Sequence, residues 1–134
     1  ISSVHHPQRN EMAKMHRSIH TVLIIEHDNA TRELYTRELG REFVVIACSD
    51  VQDLRVLLDT HQIDAIVLEP GIAGGQGWQV FEQLKQDART QAIPVIVCST
   101  LDERRRAMQL GGVGYLIKPV LPSTLLESIR KLNS

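Results

Sequence analysis

Five short runs of apolar residues recur along the chain, each four to six residues long and rich in β-branched side chains. Within a run the apolar positions are continuous and do not alternate with polar ones, which is typical of parallel strands covered on both faces. The runs occupy residues 22–25, 44–48, 65–68, 93–98 and 113–117. Pro94 falls at the start of the fourth run, where a strand tolerates proline. The pattern therefore predicts five buried strands.

Segments with apolar residues at helical spacing follow the five runs. Asp50 is expected to cap the second helix, Gly111 and Gly112 to end the fourth, and Pro122 to lie in the first turn of the fifth. The predicted inner faces are Ala30, Leu34 and Leu39; Val51, Leu54, Leu57 and Leu58; Val80, Phe81 and Leu84; Ala107 and Leu110; and Leu125, Ile129 and Leu132. Five strands alternating with five helices predict an α/β fold with a doubly wound parallel sheet.

The composition indicates a single soluble globular domain. The chain has 134 residues, of which 43% are hydrophobic and 23% charged, and its formal net charge is -1. No large electrostatic field therefore favours nucleic acid or a membrane surface, and the sequence has no apolar stretch of about 18 residues. Cys48 and Cys98 each end an apolar run and are expected to be reduced core residues. We expect a cytoplasmic protein with no nucleic-acid or membrane partner.

Residues 1–20 differ in character from the rest and are assigned to an N-terminal extension or linker, whereas residues 21–134 are assigned to the domain. Met12, Met15 and Ile19 fall at i, i+3 and i+7, which predicts one helical stripe; a frayed extension is the alternative. Four histidines in the extension have no carboxylate or cysteine cluster beside them, so a metal site is not favoured there. They are His5, His6, His16 and His20.

Polar side chains follow four of the predicted strands. They are Glu26, His27 and Asp28 after the first, Glu69 after the third, Ser99 and Thr100 after the fourth, and Lys118 after the fifth. In an open parallel sheet, ligands bind beyond the carboxyl ends of the strands, so these side chains are expected to converge on one crevice. Carboxylates can hold Mg²⁺, a hydroxyl and a lysine can bind phosphoryl oxygens, and a central carboxylate can act as a nucleophile toward a phosphoryl donor.

In order and spacing, these residues resemble the receiver domain of bacterial response regulators in two-component signalling. The matching stretches are residues 22–28, 64–69, 93–99 and 115–119, together with Gly77 and Trp78. The resemblance covers nearly all of the chain from about residue 21 to residue 132. It implies a flavodoxin-like (βα)5 fold with strand order 2-1-3-4-5, in a signalling module that is not an enzyme. That order also separates Cys48 from Cys98 by too many strands for a disulfide.

Two positions depart from what the resemblance implies. Glu69 replaces the aspartate that takes the phosphoryl group. Two acidic residues help to bind Mg²⁺ after the first strand, and here these positions are Glu26, which is acidic, and His27, which is not. Glutamate advances the carboxylate by about 1.3 to 1.5 Å, and about 1 Å of misplacement can cost about 10²-fold in rate. Phosphorylation is therefore expected to be absent or very slow, with Mg²⁺ bound weakly or not at all and no other cofactor. The phosphoryl-contact and switch positions are retained as Ser99, Lys118 and Tyr115.

The longer side chain of Glu69 is expected to reach Lys118 and to form an ion pair in the space of a phosphoryl group. One hypothesis is that this pair holds Ser99 and Tyr115 in an activated-like arrangement, so that the domain works as a protein–protein interaction module. A relic in which the pair only neutralises two charges is the alternative.

Three further alternatives remain open for the same pocket. The domain could be a working receiver that a histidine kinase phosphorylates with Mg²⁺, or a small-ligand-binding flavodoxin-like domain. The set Glu26, His27 and Glu69 would also suit Zn²⁺ or Mn²⁺ better than Mg²⁺.

The partners that the resemblance implies are a histidine kinase or neighbouring domains of a larger signalling protein. The face made by the fourth helix, fifth strand and fifth helix would contact them or form a homodimer. Arg104, Arg105 and Arg106 begin the fourth helix and are candidate contacts, with a solvated helix start as the alternative. The glycine-rich residues 71–77 fit neither a Walker nor a dinucleotide-binding pattern, and a mobile loop is favoured over a phosphate cradle.

Overall fold

A five-stranded parallel sheet lies at the centre of the computed structural model, which describes residues 18–133. The strands are β1 (Thr21–Ile25), β2 (Val44–Cys48), β3 (Ala65–Leu68), β4 (Val95–Ser99) and β5 (Gly114–Ile117). They pair in the order β2-β1-β3-β4-β5, and every neighbouring pair is parallel. The flavodoxin-like arrangement expected from the sequence is confirmed.

Helices follow each of the five strands. They are α1 (Asn29–Leu39), α2 (Leu54–Thr60), α3 (Gly77–Gln86), α4 (Arg104–Gln109) and α5 (Pro122–Arg130), with a helical turn at Ile72–Gly75 before α3 and a 3-10 turn at Lys131–Asn133 after α5. Gly111 ends α4 with a φ of 94°, a left-handed conformation that favours glycine. Pro122 is the first residue of α5, as predicted.

Helix α2 begins later than the sequence predicted. The Asp50 carboxylate accepts hydrogen bonds from the N–H groups of Gln52 at 2.9 Å and Asp53 at 3.3 Å, and this fixes a turn. The helix starts only at Leu54. An aspartate that bonds to the backbone two or three residues further on stabilises turns and helix starts alike, so the residue type does not separate the two.

Apolar side chains of the helices cover both faces of the sheet. One layer packs α2, α3 and α4 against the sheet, with Phe81 and Ala107 fully buried. The other layer packs α1 and α5 against the opposite face, with Leu39 and Ile129 fully buried. In α1 the inner face includes Tyr35, while Ala30, which the sequence placed inside, is exposed.

The two edge strands are less buried than the central three. Strands β1, β3 and β4 are buried almost throughout, as predicted. Val44 and Ala47 of β2 and Ile117 of β5 are exposed, so burial on both faces was a wrong prediction for these positions. An edge strand has a neighbour on one side only, and the helices cover it less completely.

Both cysteines are free and buried. Strands β1 and β3 lie between β2, which carries Cys48, and β4, which carries Cys98, and no disulfide joins them. Burial raises the pKa of Cys98 to about 12 and that of Cys48 to about 11. Both thiols are therefore protonated at neutral pH and poorly nucleophilic.

The first described residues are fixed to the domain by hydrogen bonds. The N–H of Ile19 donates to Asn133 Oδ1 at 2.7 Å, and Asp64 Oδ2 accepts from the N–H groups of His20 and Thr21 at 2.9 Å each. Met12 and Met15 of the predicted helical stripe and the histidines upstream of His20 lie outside the described residues. Ile19, the third residue of the stripe, is buried and lies outside any helix. Within residues 18–133, no helix is long and apolar enough to cross a membrane.

Candidate functional site

The residues at the ends of β1, β3, β4 and β5 meet at one edge of the sheet, as the sequence predicted. Glu26 is 2% exposed, Glu69 5% and Ser99 4%. Backbone hydrogen bonds hold the strand ends together: the N–H of Glu69 donates to the carbonyl of Ile25 at 2.9 Å, and the N–H of Lys118 donates to the carbonyl of Ser99 at 2.8 Å. The sheet therefore sets the spacing of the buried polar side chains.

Lys118 forms ion pairs with both buried carboxylates. Its Nζ lies 2.5 Å from Glu26 Oε1 and 2.7 Å from Glu69 Oε1. Burial acts to lower the pKa of Lys118, but the hydrogen bonds to Glu26 and Glu69 outweigh it and the pKa is raised. The ammonium is therefore charged at neutral pH. The contact with Glu69 was expected from the sequence, whereas the contact with Glu26 was not.

The second oxygens of the two carboxylates are bound by the backbone. Glu26 Oε2 accepts from the N–H of Asp28 at 3.0 Å, and Glu69 Oε2 accepts from the N–H of Gly71 at 2.8 Å. A buried charge is costly unless it is paired and hydrogen-bonded, and both carboxylates meet that requirement here. Two carboxylates face one ammonium, so Lys118 balances the charge of both.

His27 and Asp28 lie outside this cluster. His27 is exposed, and its Nδ1 is 3.5 Å from Glu26 Oε2. Asp28 instead caps α1, because its carboxylate accepts from Thr31 Oγ1 at 2.6 Å and from the Thr31 N–H at 2.9 Å. Those hydrogen bonds lower the pKa of Asp28.

The metal-ligand set suggested by the sequence is not assembled. Glu26 and Glu69 both contact Lys118, and the side chain of His27 is more than half exposed beside Glu26. Among the histidine, cysteine, aspartate and glutamate residues that the structure describes, no group of three is placed to hold a metal ion.

An open cavity of about 440 Å³ lies beside the cluster. The charged and titratable side chains in its wall are His27, Asp28, Glu69, Glu103 and Lys118, and Ser99 also lines it. Carboxylates outnumber cationic groups in this wall, and the ammonium is already paired twice. An anion such as a phosphoryl group therefore meets unfavourable electrostatics in the cavity.

Ser99 and Tyr115 hold the loop between β4 and α4. Ser99 Oγ accepts from the N–H of Leu101 at 3.2 Å. The Tyr115 hydroxyl donates to the carbonyl of Leu101 and accepts from the N–H of Glu103 at 2.9 Å. The Tyr115 side chain is buried, so it is turned inward and anchors the start of α4.

Two of the three arginines in α4 are engaged within the domain. The guanidinium of Arg104 lies 5.8 Å from the ring centroid of Tyr115, and that of Arg106 lies 4.4 Å from the ring centroid of Trp78. Arg106 also lies 3.5 Å from Glu103. Arg105 is exposed. The sequence suggested these arginines as partner contacts, a role that stays a prediction, and it gave no sign of the ring contacts.

The sequence of residues 22–130 matches the family model of the response regulator receiver domain. Transcriptional regulatory protein HprR of Escherichia coli is 31% identical over 110 residues, which cover 81% of this chain and 49% of that protein. Protein PilH of Pseudomonas aeruginosa is 38% identical over 69 residues, covering 49% of this chain and 57% of that protein. The chain spans about half the length of these curated relatives.

Solved structures share the fold at lower sequence identity. The chemotaxis response regulator CheY4 of Vibrio cholerae has a TM-score of 0.77 at 17% identity, covering 86% of this chain and 99% of that one. A response regulator from Thermotoga maritima has a TM-score of 0.74 at 20% identity, covering 86% and 98%. These likenesses support the fold alone.

Proposed function

Because this chain belongs to the response regulator receiver domain family, we propose that it is a signalling module of two-component systems that acts without phosphorylation of Glu69. The observation that carries the proposal is the double contact of the Lys118 ammonium, 2.5 Å from Glu26 and 2.7 Å from Glu69. The resemblance implies that the lysine at this position contacts a phosphoryl group. Here the same ammonium is already paired with two carboxylates.

Both oxygens of Glu69 are bound, which weakens it as a nucleophile. Oε1 faces the Lys118 ammonium and Oε2 accepts the Gly71 N–H. Attack on a phosphoryl donor would require one oxygen to leave its partner and to move into a position set for a shorter side chain. Because misplacement by about 1 Å can cost about 10²-fold, the reaction is expected to be very slow.

Binding of Mg²⁺ is expected to be weak, because the acidic side chain that would bind it is already paired. Mg²⁺ requires oxygen ligands in near-ideal octahedral geometry. Glu26 is occupied by Lys118 and by the Asp28 N–H, and His27 offers an imidazole in place of a carboxylate. The pocket therefore lacks the free pair of acidic side chains that the family uses.

The buried position of the Tyr115 side chain supports an activated-like arrangement that forms without a phosphoryl donor. Its hydroxyl bonds at Leu101 and Glu103 fix the loop into α4, and Ser99 bonds to the same loop. The resemblance gives Ser99 and Tyr115 the switch role in the family. We therefore favour a permanent interaction module over a relic, and we expect it to have no enzymatic activity of its own.

Intact mass measurement tests the proposal directly. The natural chain is incubated with acetyl phosphate and Mg²⁺, and a parallel sample receives EDTA in place of Mg²⁺. We expect no Mg²⁺-dependent gain of a phosphoryl group. A labelled natural chain would make it a working receiver and would contradict the proposal.

Exposed apolar side chains on α4, β5 and the adjoining loops support the expected interaction face. Five large apolar side chains are exposed there, and they are Leu101, Met108, Val113, Ile117 and Leu121. Exposed apolar side chains grouped together are typical of interaction sites. We propose that this face contacts a histidine kinase, a neighbouring domain or a second copy of the chain.

Leu121→Glu tests the homodimer form of this proposal. Leu121 is 69% exposed, and a charge in an apolar contact is expected to weaken dimerisation by about 2 kcal/mol, or about 30-fold. Val56→Glu on α2 is the matched control, since Val56 is 60% exposed on a different helix. Sedimentation at increasing concentration should show weaker association for Leu121→Glu alone. Equal weakening by both variants, or a strictly monomeric natural chain, would rule out this dimer.

A further inference from the structure

Glu69 is connected to α3 by a backbone contact that leaves no room for a side chain. Pro70 follows Glu69, and Gly77 is the first residue of α3. A Cβ added to Gly77 would lie 2.5 Å from Pro70 Cα and 2.7 Å from its carbonyl oxygen. The start of α3 therefore rests directly on the residue after the carboxylate, and a shift of one displaces the other.

The next residue, Trp78, extends this contact to α4. Trp78 is 6% exposed, stacks on Phe81 at a centroid distance of 6.4 Å, and forms part of the wall of the cavity beside Glu69. The Arg106 guanidinium of α4 covers the indole ring at 4.4 Å from its centroid. One aromatic ring therefore touches both the pocket and the helix of the proposed interaction face.

We propose that Pro70, Gly77 and Trp78 form a second mechanical connection from the Glu69 pocket to α4, ending in Arg106. The inference rests on the proposed function, because it concerns how the pocket sets the position of that face. Trp78 and Arg106 are positioning residues in this connection. Glu69 acts on Pro70 through the chain, Pro70 acts on Gly77 through packing, and Trp78 acts on Arg106 through its ring.

This connection begins at a different strand from the one through Ser99 and Tyr115. That path leaves β4 and β5 and reaches the loop before α4 by hydrogen bonds. The Trp78 path leaves β3, crosses the start of α3 and reaches α4 itself. The arginines follow the same division, because Arg104 covers Tyr115 and Arg106 covers Trp78.

Amide hydrogen exchange in α4 can measure the connection. Ala107 and Leu110 are suitable reporters, since their N–H groups donate to the carbonyls of Glu103 and Arg106. An exposed cation–π contact shifts an equilibrium by a factor of about 2 to 5, so Arg106→Gln is expected to speed exchange at both reporters by that factor. Arg105→Gln is the matched control and should leave exchange unchanged.

The ion pair between Arg106 and Glu103 needs a control of its own. Glu103→Gln removes that pair while Arg106 keeps its place over Trp78. It should change exchange less than Arg106→Gln does. Trp78 is the only tryptophan of the chain, so its fluorescence reports the loss of the guanidinium directly: accessibility to acrylamide should rise in Arg106→Gln.

A double-mutant cycle decides whether the connection carries information from the pocket. Glu69→Gln is expected to change both Trp78 emission and α4 exchange in the natural chain. In the Arg106→Gln background, the change in exchange caused by Glu69→Gln should be at least twofold smaller, in line with the cation–π factor of about 2 to 5. In the Arg105→Gln background the same change should persist. An equal change in both backgrounds, or none in the natural chain, would overturn the inference.

The outcome is independent of phosphorylation. The cycle needs no phosphoryl donor, so a natural chain that proved to be labelled would refute the proposed function without altering the exchange result. Circular dichroism melting of each variant separates a local change in α4 from a general loss of folding. A variant too unstable to compare is replaced by Trp78→Phe, which keeps an aromatic ring but is expected to weaken the contact with Arg106.

Discussion

Lys118→Met is expected to lower the free energy of unfolding by about 3 to 5 kcal/mol. The physical reason is that Glu26 and Glu69 would stay buried with no positive charge between them. Methionine retains most of the apolar stem of lysine, so the change removes the charge more than the packing. Urea unfolding followed by circular dichroism at neutral pH measures the loss.

The cost of Lys118→Met should depend on pH in a defined direction. In the natural chain the pKa of Lys118 is raised above its ordinary value by the hydrogen bonds to Glu26 and Glu69, although burial opposes them. Its stabilisation is complete below the unfolded value of 10.5 and is lost as the pH rises through the higher folded value, and Lys118→Met should lack this alkaline loss.

Arg130→Met is a matched control for the loss of a cation. Arg130 pairs with Glu42 at 2.6 Å, but both side chains are substantially exposed, and solvent-screened pairs of this kind contribute little to stability. Adding Glu69→Gln to Lys118→Met should also recover part of the lost stability. If Lys118→Met costs no more than Arg130→Met, the buried cluster does not depend on the lysine charge as described.

The double variant His27→Asp, Glu69→Asp is expected to gain Mg²⁺-dependent phosphorylation. Glu69→Asp withdraws the carboxylate by about 1.3 to 1.5 Å, away from Lys118 and toward the position of the family's acceptor. His27→Asp supplies a second carboxylate near Glu26 for Mg²⁺. Labelling should exceed that of the natural chain by at least about 10²-fold, as judged from the sensitivity of attack to misplacement. Intact mass after exposure to acetyl phosphate measures it.

The single variants separate the two causes. If Glu69→Asp alone is labelled as fast as the double variant, the acceptor position is the only obstacle and His27 has no part in it. If the double variant stays unlabelled with Mg²⁺, the pocket is inactive for a reason beyond these two residues. Omitting Mg²⁺ from the double variant is the control, and labelling should then be lost.

The fold followed from the sequence because the strands are continuous apolar runs. Parallel strands buried on both faces need such runs, and those of β1 and β3 match the observed strands to within a residue. The degree of burial at β2 and β5 depends on their place at the sheet edges, which one run alone does not reveal. The late start of α2 was missed because Asp50 can begin a turn or a helix by the same hydrogen bonds.

The residues of the site were predictable from their places at the ends of the strands, whereas their exact side-chain partners were only partly predictable. The contact of Glu69 with Lys118 follows from one additional methylene in a pocket whose edges the sheet defines. Glu26 was expected in the same crevice as Lys118, but the pattern of strand ends does not say which carboxylates the lysine will bind, and these two residues are 92 positions apart. The Arg106–Trp78 contact depends on the position of α4 relative to α3, which the sequence pattern of either helix does not show.

A lysine shared by two buried carboxylates also restricts the order in which these three positions can be substituted during evolution. If Lys118 were lost first, two buried negative charges would remain without a positive partner. If a neutral residue replaced Glu26 or Glu69 first, one balanced ion pair would remain. We expect homologous chains without this lysine to lack at least one of the two carboxylates as well. The three positions should therefore vary together, as one inherited unit, rather than one at a time.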